Sequence, residues 1–511
     1  MTRSSRLHQL SAAALLVLLS FVTRAPALLN AAGTNSDAAI VGLQARHIFQ
    51  HGGWSPLLWG STYQTSADST WAALFFAVLG PTPLALMLSA LVAYAALTLF
   101  AFLLLARRTS SPWRAFVAAL PLVFTTACVH SYALYPPRQL ALTIAFAALF
   151  AIDRADGSKR PGAWLFGGGL LVMLAWLADP YAIVFVPPAT LFAALVVLRA
   201  RPTFGARAGA SGVYALGSLL GVVPLVLLWL HPRSQQGVVT MSPSVLGHNA
   251  RLLWNECLPW AIGTKVYKPL HVMDYVEWRM PIAYAVAARA GVVFLVIAVS
   301  ASLLLVLRRS SERPLRHLYA LGAATVGLVF TSFFFSLMVM DHFSMRYLAG
   351  AVLVLPFVVA PLVERVGAWR GALVLAPYLL IAGVGGWFSH GDWTHRGRPV
   401  RTAAGRAEDE ARLLSELQKR HVEAGVADYW AAYRLDFLWR EALPVAPLHE
   451  SQDRYRPYRD ALDRAHRVAY VFDRGRSFED EAKTADDFDA KGSRTERFDV
   501  GIFAVYVYER P

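Results

Sequence analysis

Acidic residues are scarce in the first 388 of the 511 residues, and their positions narrow the search for chemistry. We count only 11 of them in that part of the chain. Seven fall in segments that we predict to lie at one membrane face: Asp37, Asp68, Asp179, Glu256, Asp274, Glu277 and Asp341. A carboxylate beside an apolar slab is costly unless it is paired or used. These acids are therefore the first candidates for acid–base chemistry.

Asp37 and Asp68 each stand before a short run with helical character. The pattern from Ile40 to Ile48 has helical spacing and predicts an amphipathic surface helix with Asp37 in its first turn. Asp68 precedes the apolar run Trp71–Leu79, which is too short to cross a bilayer. Asp37 could be a helix cap, a position that Asp favours, or a catalytic group. The residues alone leave both explanations open.

The composition divides the chain that must position these acids into two parts. Apolar residues make up 56% of the chain and charged residues 16%, against about 25% charged in an ordinary soluble domain. Residues 1–388 carry 27 basic and 11 acidic side chains, whereas residues 389–511 carry 21 and 23. The excess positive charge lies wholly in the apolar part. It therefore indicates a membrane domain followed by a soluble domain, and not a nucleic-acid partner.

The apolar part predicts an α-helical polytopic membrane protein. A spanning helix needs about 20 mostly apolar residues. Eleven candidate spans lie near residues 8–29, 82–105, 113–133, 138–152, 163–178, 180–198, 212–230, 283–306, 318–340, 348–363 and 371–388. Asp179-Pro180 divides a stretch too long for one helix, which predicts a helical hairpin. Gly167-Gly168-Gly169 lies within a span and indicates close helix packing.

The distribution of Lys and Arg predicts the orientation. Short loops that an alternating topology places in the cytoplasm hold 17 of the 27 basic residues of the apolar part. The longer segments, residues 30–70, 231–282 and 389–511, then lie outside. We expect a multi-pass protein of the cell (inner) membrane with an external, periplasmic C-terminal domain. The N-terminal run before Ala25-Pro26-Ala27 also resembles a cleavable signal peptide, but the next segment is external either way.

The sequence pattern of the C-terminal part predicts a small α/β domain. Strands are predicted at Gly425–Asp428, Val468–Phe472 and Phe503–Tyr508. Helices are predicted at Ala403–His421, Tyr429–Glu441 and Tyr455–Ala465. This alternation indicates a parallel or mixed sheet of about four strands that folds independently. The two cysteines, Cys128 and Cys257, make neither a disulfide framework nor a metal motif.

The first external loop resembles that of type C membrane glycosyltransferases, which include protein O-mannosyltransferases and the aminoarabinose transferase of lipid A. The likeness is carried by Asn35–Ile48, by Trp59-Gly60-Ser61-Thr62-Tyr63, and by the Asp68 segment up to Leu79-Gly80-Pro81. Bacterial members often have Asp-Glu at the start of the loop helix and a later Glu. Here Ala38 replaces the second acid and Asp68 stands for the later Glu. Ala427–Leu438 is similar to the soluble C-terminal segment of those members.

This resemblance implies a reaction. The donor is expected to be a sugar on a polyprenyl phosphate, and the acceptor hydroxyl of a protein, lipid or glycan attacks C1 while the lipid phosphate leaves. Asp37 matches the first-loop acid and is the expected general base, with Asp68 orienting the acceptor or the sugar. The sugar, the prenyl chain and the acceptor stay open.

The leaving phosphate needs cations, and the outer face supplies several. Arg346, Arg138 and Lys265 are the candidate phosphate ligands. Each could instead reach into the headgroup region, and Arg346 could pair with Asp341. Tyr63, Trp59 and His342 are expected to line the substrate groove, although such aromatic residues also anchor proteins at the interface.

Two other functions remain open from the sequence. A transporter or flippase of lipid-linked intermediates would place polar groups near the bilayer centre, whereas here they crowd one face. A non-catalytic binding protein is compatible with the replacement of an acid by Ala38. No cofactor is expected. No histidine pair has a metal-ligand spacing with supporting acids, so no metal site is predicted, although some relatives use a divalent ion.

Overall fold

The computed structural model describes residues 3–29, 31–126, 129, 136–229, 242–271, 274–277, 279–308, 313–388, 394–395, 398–399, 403–473, 481–489 and 492–511. The fold is mostly helical, with a small sheet domain at the C-terminal end. The predicted fold class is therefore confirmed. Cys128 lies outside the described residues, as do residues 231–241, the start of the predicted external segment 231–282.

Eight helical segments of the described part are long and apolar enough to cross a membrane. They are Pro83–Ala106, Pro161–Ala178, Pro180–Ala200, Phe204–Leu228, Ile282–Leu307, Pro314–Phe334, His342–Val366 and Ala368–Trp387. The other three predicted spans correspond to Arg3–Val22, Pro112–Ala119 and Gln139–Arg154. The predicted count of eleven spans is thus not confirmed.

Several of these segments are interrupted where the sequence disfavours a regular helix. Pro112–Ala119 ends in a 3₁₀ turn at Leu120–Leu122 that contains Pro121. The segment from Pro180 starts as a 3₁₀ helix to Phe185 and continues as Val186–Ala200. The segment from His342 consists of a 3₁₀ helix to Leu348 and the helices Ala349–Leu353 and Leu355–Val366. Proline removes a backbone donor and blocks the preceding turn, which explains the breaks at Pro121 and Pro180.

Small residues bring the helix Pro161–Ala178 close to two neighbours, the helices Gln139–Arg154 and Phe204–Trp229. A Cβ at Gly168 would lie 2.6 Å from Ile152 Cγ1, and one at Gly169 would collide with the carbonyl of Tyr214. These two glycines therefore allow backbones to approach closely, as their position in a span predicts.

Shorter elements connect the long helices. They are the helices Ala25–Leu29 and Pro243–Leu252, the 3₁₀ turn Ala31–Gly33, the π-helical turn Leu253–Cys257 and the helix Leu258–Ala261. Two antiparallel hairpins pair β1 (Tyr267–His271) with β2 (Asp274–Glu277), and β3 (Thr394–His395) with β4 (Arg398–Pro399).

The first loop contains the two helices that its acids predict. Loop helix 1 is Ser36–His51 and loop helix 2 is Ala67–Leu79. Loop helix 1 ends at Gly52, whose φ of 65° is a left-handed conformation that glycine adopts readily. The two helices contribute to one hydrophobic cluster, which includes Leu43 and Phe76.

The C-terminal domain has a five-stranded mixed sheet in the order β6-β5-β7-β9-β8. The strands are β5 (Ala424–Ala427), β6 (Val445–Pro447), β7 (Arg467–Asp473), β8 (Ser493–Val500) and β9 (Phe503–Glu509). β5 pairs in parallel with β6 and with β7, whereas β9 pairs antiparallel with β7 and with β8. The helices are Ala403–Lys419, Tyr429–Leu438, Arg456–Arg464 and Glu481–Phe488. Three strands and three helices lie where they were predicted, and β6 and β8 were missed.

One helix of this domain packs against the first loop. This docking helix, Tyr429–Leu438, places Tyr429, Tyr433 and Phe437 in the same hydrophobic cluster as loop helix 1. A Cβ at Gly42 would lie 2.7 Å from Phe437 Cε2, so a glycine is needed for this close contact. The C-terminal domain is therefore joined by packing to the loop that carries Asp37.

Candidate active site between the first loop and the C-terminal domain

Asp37 is not the cap of its helix. The cap is Asn35, whose Oδ1 accepts a hydrogen bond from the Ala38 amide at 2.9 Å. Asp37 lies half-buried in the first turn. Its Oδ1 accepts a hydrogen bond of 2.7 Å from the hydroxyl of Tyr429, in the C-terminal domain. The capping explanation of Asp37 is therefore wrong, and its carboxylate is directed to other partners.

Arg454 of the C-terminal domain reaches the same place. Its guanidinium donates to the carbonyl of Gly60 at 2.9 Å, and its carbon Cζ lies 5.8 Å from the centre of the Tyr429 ring. Gly60 has a φ of 61°, and a Cβ there would collide with Arg454. Glycine is thus required at position 60 both by the backbone conformation and by this contact.

A buried ion pair fixes the docking helix next to Asp37. Arg434 is fully buried and donates to both carboxylate oxygens of Glu410, at 2.7 and 2.8 Å. The same guanidinium donates to the carbonyl of Thr34, and the Arg434 amide donates to Ser36 Oγ at 3.3 Å. These bonds tie the start of loop helix 1 to the C-terminal domain.

Asp68 contacts the backbone next to a second group of charged side chains, which consists of Arg138 and Asp179. Only 6% of its surface is exposed, and its two oxygens accept the backbone N–H groups of Arg138 and Leu140, at 3.0 and 3.2 Å. Burial raises the pKa of Asp68 to about 6. Its carboxylate therefore holds the chain at the start of the helix Gln139–Arg154.

Arg138 extends from this anchored backbone to Asp179. Its Nε lies 3.3 Å from Asp179 Oδ2, and Gln64 donates to the same oxygen at 2.9 Å. The other oxygen of Asp179 caps the following turn through the amide of Tyr181, at 2.8 Å. The sequence predicts a turn residue at Asp179, and the structure adds an ion pair with a candidate phosphate ligand.

Tyr63 is in the electrostatic field of both groups of charges, Asp37 with Arg454 and Asp179 with Arg138. It leaves 43% of its surface exposed. Its pKa is raised above the usual value, first by partial burial of the phenol and then by the charges of Asp179 and Asp37, while Arg138 and Arg454 act in the opposite direction. A side chain exposed to solvent and in the field of both groups is suited to contact a substrate between them.

Arg346 is connected to this region through aromatic side chains. Its guanidinium lies 5.1 Å from the centre of the Tyr347 ring and donates to the Tyr347 hydroxyl at 3.3 Å. The Tyr181 hydroxyl in turn donates to the carbonyl of Tyr347 at 3.1 Å. Tyr181 lies two residues after Asp179 in the sequence. Asp341 caps the 3₁₀ helix by accepting from the Phe343 amide at 2.9 Å.

Lys265 and His342 belong to a different cluster around the β1–β2 hairpin. Lys265 Nζ pairs with Glu277 at 3.2 Å. His342 stacks on Tyr267 with ring centres 4.9 Å apart, and its Nδ1 lies 3.9 Å from Glu256. Cys257 is a free, buried thiol. In the described contacts, these residues meet one another and not the groups around Asp37.

Trp59 was expected to line the groove, and the structure shows it stacked on the C-terminal domain. Its ring lies 3.9 Å from that of Tyr455 at an interplanar angle of 14°, and it meets His47 edge-on at 4.9 Å. Glu441 joins the same contact by bonding His47 at 2.8 Å and Arg46 at 3.3 Å.

Ala38 is fully buried in the cluster formed by the loop and the docking helix. An acid at this position would be removed from water. Among the described residues, no group of three His, Cys, Asp or Glu side chains is arranged to hold a metal ion.

The residues missed by sequence reasoning all come from the C-terminal domain: Tyr429, Arg434 and Arg454. The segment Ala427–Leu438 carries part of the family resemblance and contains two of them. That resemblance was a signal, but it did not connect these residues to Asp37.

Comparisons with known proteins support the fold. No protein-family model matches the sequence, and no curated protein matches it. The crystal structure of ArnT from Cupriavidus metallidurans in the apo state is similar, with a TM-score of 0.50 and 11% identity over 98% of this chain and 97% of that chain.

Several weaker similarities have TM-scores below 0.5, among them the following two. One is to ArnT from Cupriavidus metallidurans bound to undecaprenyl phosphate, with a TM-score of 0.46 and 12% identity over 98% of this chain and 97% of that chain. The other is to the Archaeoglobus fulgidus oligosaccharyltransferase in complex with Zn and sulfate, with a TM-score of 0.48 and 12% identity over 98% and 73%. At such identities a likeness shows the fold alone, and the chain has the fold of ArnT.

Proposed function

We propose that the protein is a membrane glycosyltransferase, which moves a sugar from a polyprenyl-phosphate-linked donor to an acceptor at the external face. The observation that carries the proposal is the position of Asp37. It is a half-buried carboxylate that does not cap its helix and whose charge acts on the partly exposed Tyr63. The fold shared with ArnT, an aminoarabinose transferase, supports the reaction class. ArnT has been solved with undecaprenyl phosphate bound, and we transfer that donor class to this chain.

The reaction is a displacement at the anomeric carbon. The acceptor hydroxyl oxygen forms a bond to C1, Asp37 takes the hydroxyl proton, and the bond from C1 to the phosphate oxygen breaks. The electron pair of that bond leaves with the polyprenyl phosphate. A positioned general base contributes about 10²–10⁴-fold to such a step.

The proposed phosphate ligands differ in how readily they could serve. Arg138 is anchored through its backbone by Asp68 and already pairs with Asp179, which orients its guanidinium. Arg346 directly precedes Tyr347, whose carbonyl accepts a hydrogen bond from the Tyr181 hydroxyl. Lys265 would have to exchange Glu277 for a phosphate. We therefore assign the leaving phosphate to Arg138 and Arg346, and place Lys265 and His342 in an adjoining surface.

The test is transfer by the purified full-length protein in lipid. The donors are synthetic undecaprenyl-phosphate-linked hexoses and pentoses, a membrane extract supplies the acceptors, and released undecaprenyl phosphate is measured. Asp37→Asn should slow release by about 10²–10⁴-fold. Its folding should change little, because Asn35 supplies the cap.

Asp341→Asn is the matched control. Asp341 is also an external acid at the start of a helical turn, and its role is capping, for which Asn serves about as well. This variant should keep wild-type transfer. Wild-type transfer by a folded Asp37→Asn protein would remove Asp37 from the mechanism. No release by the wild type from any donor would contradict the enzyme assignment itself.

A further inference from the structure

The C-terminal domain supplies a hydrogen-bond donor to the carboxylate that we propose as the base. Tyr429 is the first residue of the docking helix, and Asp428 caps that helix by accepting from the Trp430 amide at 2.8 Å. The Tyr429 hydroxyl lies 2.7 Å from Asp37 Oδ1. Only 7% of Tyr429 is exposed. Burial, followed by the charge of Asp37, raises the pKa of Tyr429 well above its usual value, so the phenol is neutral and donates.

The ring of Tyr429 is held on several sides. Trp430 meets it edge-on with ring centres 5.0 Å apart, and Tyr433 does so at 5.7 Å. The Arg454 guanidinium lies near its face at 5.8 Å, and this arginine is fixed to the first loop through Gly60. With its neighbours packed in this way, the hydroxyl has a defined position relative to Asp37.

The backbones on both sides of this hydrogen bond are also fixed to each other. Arg434 follows Tyr429 on the docking helix and Ser36 precedes Asp37 on loop helix 1. The bond from the Arg434 amide to Ser36 Oγ and the buried Arg434–Glu410 pair hold the two helix starts together. The contact between Tyr429 and Asp37 is therefore built into the interface and not a chance meeting of mobile side chains.

We propose that the C-terminal domain forms part of the active site, with Tyr429 as a positioning residue that orients the Asp37 carboxylate. This inference rests on the proposed function. A hydrogen bond donated to one carboxylate oxygen fixes the plane of the group and favours its charged form. Because Tyr429 occupies Oδ1, the second oxygen, Oδ2, is presented to the acceptor hydroxyl.

Three ionisable groups act on Asp37 from the described surroundings. Tyr63 comes from the first loop, and Tyr429 and Arg454 come from the C-terminal domain. Of these, only Arg454 carries a charge at neutral pH, and it does not change its charge in the range where a carboxylate titrates. A change in the protonation of Asp37 on loss of the Tyr429 hydroxyl is thus assignable to the lost hydrogen bond.

The first experiment needs no substrate. The full-length protein in lipid is labelled with a carbodiimide and glycinamide at a series of pH values, and modification of Asp37 is followed by peptide mass spectrometry. Carbodiimides react with the protonated carboxyl, so labelling falls as Asp37 ionises. In Tyr429→Phe the midpoint of this labelling should move to higher pH, because a hydrogen bond that favours the charged form is gone.

Tyr458→Phe is the matched control. Tyr458 belongs to the same interface cluster, but its hydroxyl donates to Glu441 at 2.6 Å and not to Asp37. Its removal should leave the Asp37 midpoint where it is in the wild type. An unchanged midpoint in Tyr429→Phe, or an equal shift in both variants, would overturn the positioning role.

Kinetics with the undecaprenyl-phosphate-linked donors provide the second arm. Tyr429→Phe should lower kcat by about 10- to 100-fold with little change in the donor KM, since the lost interaction orients the base and does not bind the donor. The Asp37→Asn/Tyr429→Phe double variant should be no slower than Asp37→Asn alone. If Asp37→Asn abolishes transfer while Tyr429→Phe has wild-type kinetics and labelling, the inference fails and the proposed function stands. If Asp37→Asn is silent, Asp37 is removed from the mechanism and this inference fails with it, whereas the proposed function fails only if the wild type releases no undecaprenyl phosphate from any donor.

Discussion

Asp37 and Asp68 occupy the first turns of neighbouring helices, but their carboxylates have opposite surroundings. Asp37 is half-buried and receives a side-chain hydroxyl, so one of its oxygens is left for a substrate. Both oxygens of Asp68 are engaged by backbone N–H groups. One of these belongs to Arg138, whose φ of 112° is strained for a residue with a side chain. Asp68 therefore acts on the site by holding Arg138 in place.

The burial of Asp68 predicts a pH dependence of stability. Its pKa is raised from 3.8 to about 6 in the folded protein, so between these values the unfolded chain has lost the proton that the folded chain keeps. Stability from this group must then fall as the pH rises from about 4 to about 6, and stay level above that range. The full difference corresponds to about 3 kcal/mol.

Asp68→Asn isolates this contribution. We expect the wild type to lose stability relative to Asp68→Asn as the pH rises from 4 to 6, as measured by thermal unfolding of both proteins in the same detergent. Asp341→Asn, at an acid with an exposed capping role, serves as the control and should give no such trend. Parallel pH curves for the wild type and Asp68→Asn would contradict the burial argument.

At the scale of elements, contacts of the docking helix fix the position of the first loop. Phe437 packs over Gly42, and Arg434 joins the start of loop helix 1 to Glu410. Glu410 also bonds Arg406, which in turn pairs with Asp473. A buried chain of alternating charges therefore connects the loop to the sheet of the C-terminal domain. Breaking such a pair leaves a charge without its partner in a place from which water is excluded.

We predict that Arg434→Met weakens this connection. Loss of one partner of a buried ion pair costs about 3 kcal/mol or more, because the remaining carboxylate is incompletely compensated. The thermal midpoint should fall, and the amides of residues 36–51 should exchange faster with deuterium. Arg456→Met is the control, since Arg456 pairs with Asp460 at the surface and its loss should be close to silent. Equal effects of the two variants would argue against the role of Arg434.

The sequence predicts the elements better than it predicts their contacts. Helical spacing identifies both loop helices, and apolar runs identify β5, β7 and β9. The strand β6 is only three residues long and ends in proline, and β8 is an edge strand with mostly exposed polar side chains, so neither has the apolar pattern of a buried strand. The contact of Tyr429 with Asp37 joins residues 392 positions apart, and periodicity carries no information about such a pair.

At the scale of the whole molecule, the ion pairs fall into two sets that match the predicted topology. Arg107, Arg108, Asp153, Asp156 and Arg199 form one network, and Arg114 pairs with Glu364. All of these residues lie in, or at the ends of, the short loops that the alternating topology places in the cytoplasm. Arg138 with Asp179, Lys265 with Glu277, and His342 with Glu256 were all predicted to lie outside. Among the described ion pairs, none joins the two sets.

This segregation makes the sidedness of the site a testable property of the whole chain. Because Tyr429 bonds Asp37 and Arg434 bonds Ser36, residues 403–511 and the first loop must lie on the same side of the membrane. The excess of Lys and Arg in the opposite loops predicts that this side is external. Alkaline phosphatase, which is active only outside the cytoplasm, should be active when fused after Phe388 and inactive when fused after Lys159. A fluorescent protein that folds only in the cytoplasm should give the reverse result. Phosphatase activity at Lys159 without activity at Phe388 would invert the topology, and would place Asp37 on the side from which an external lipid-linked donor is excluded.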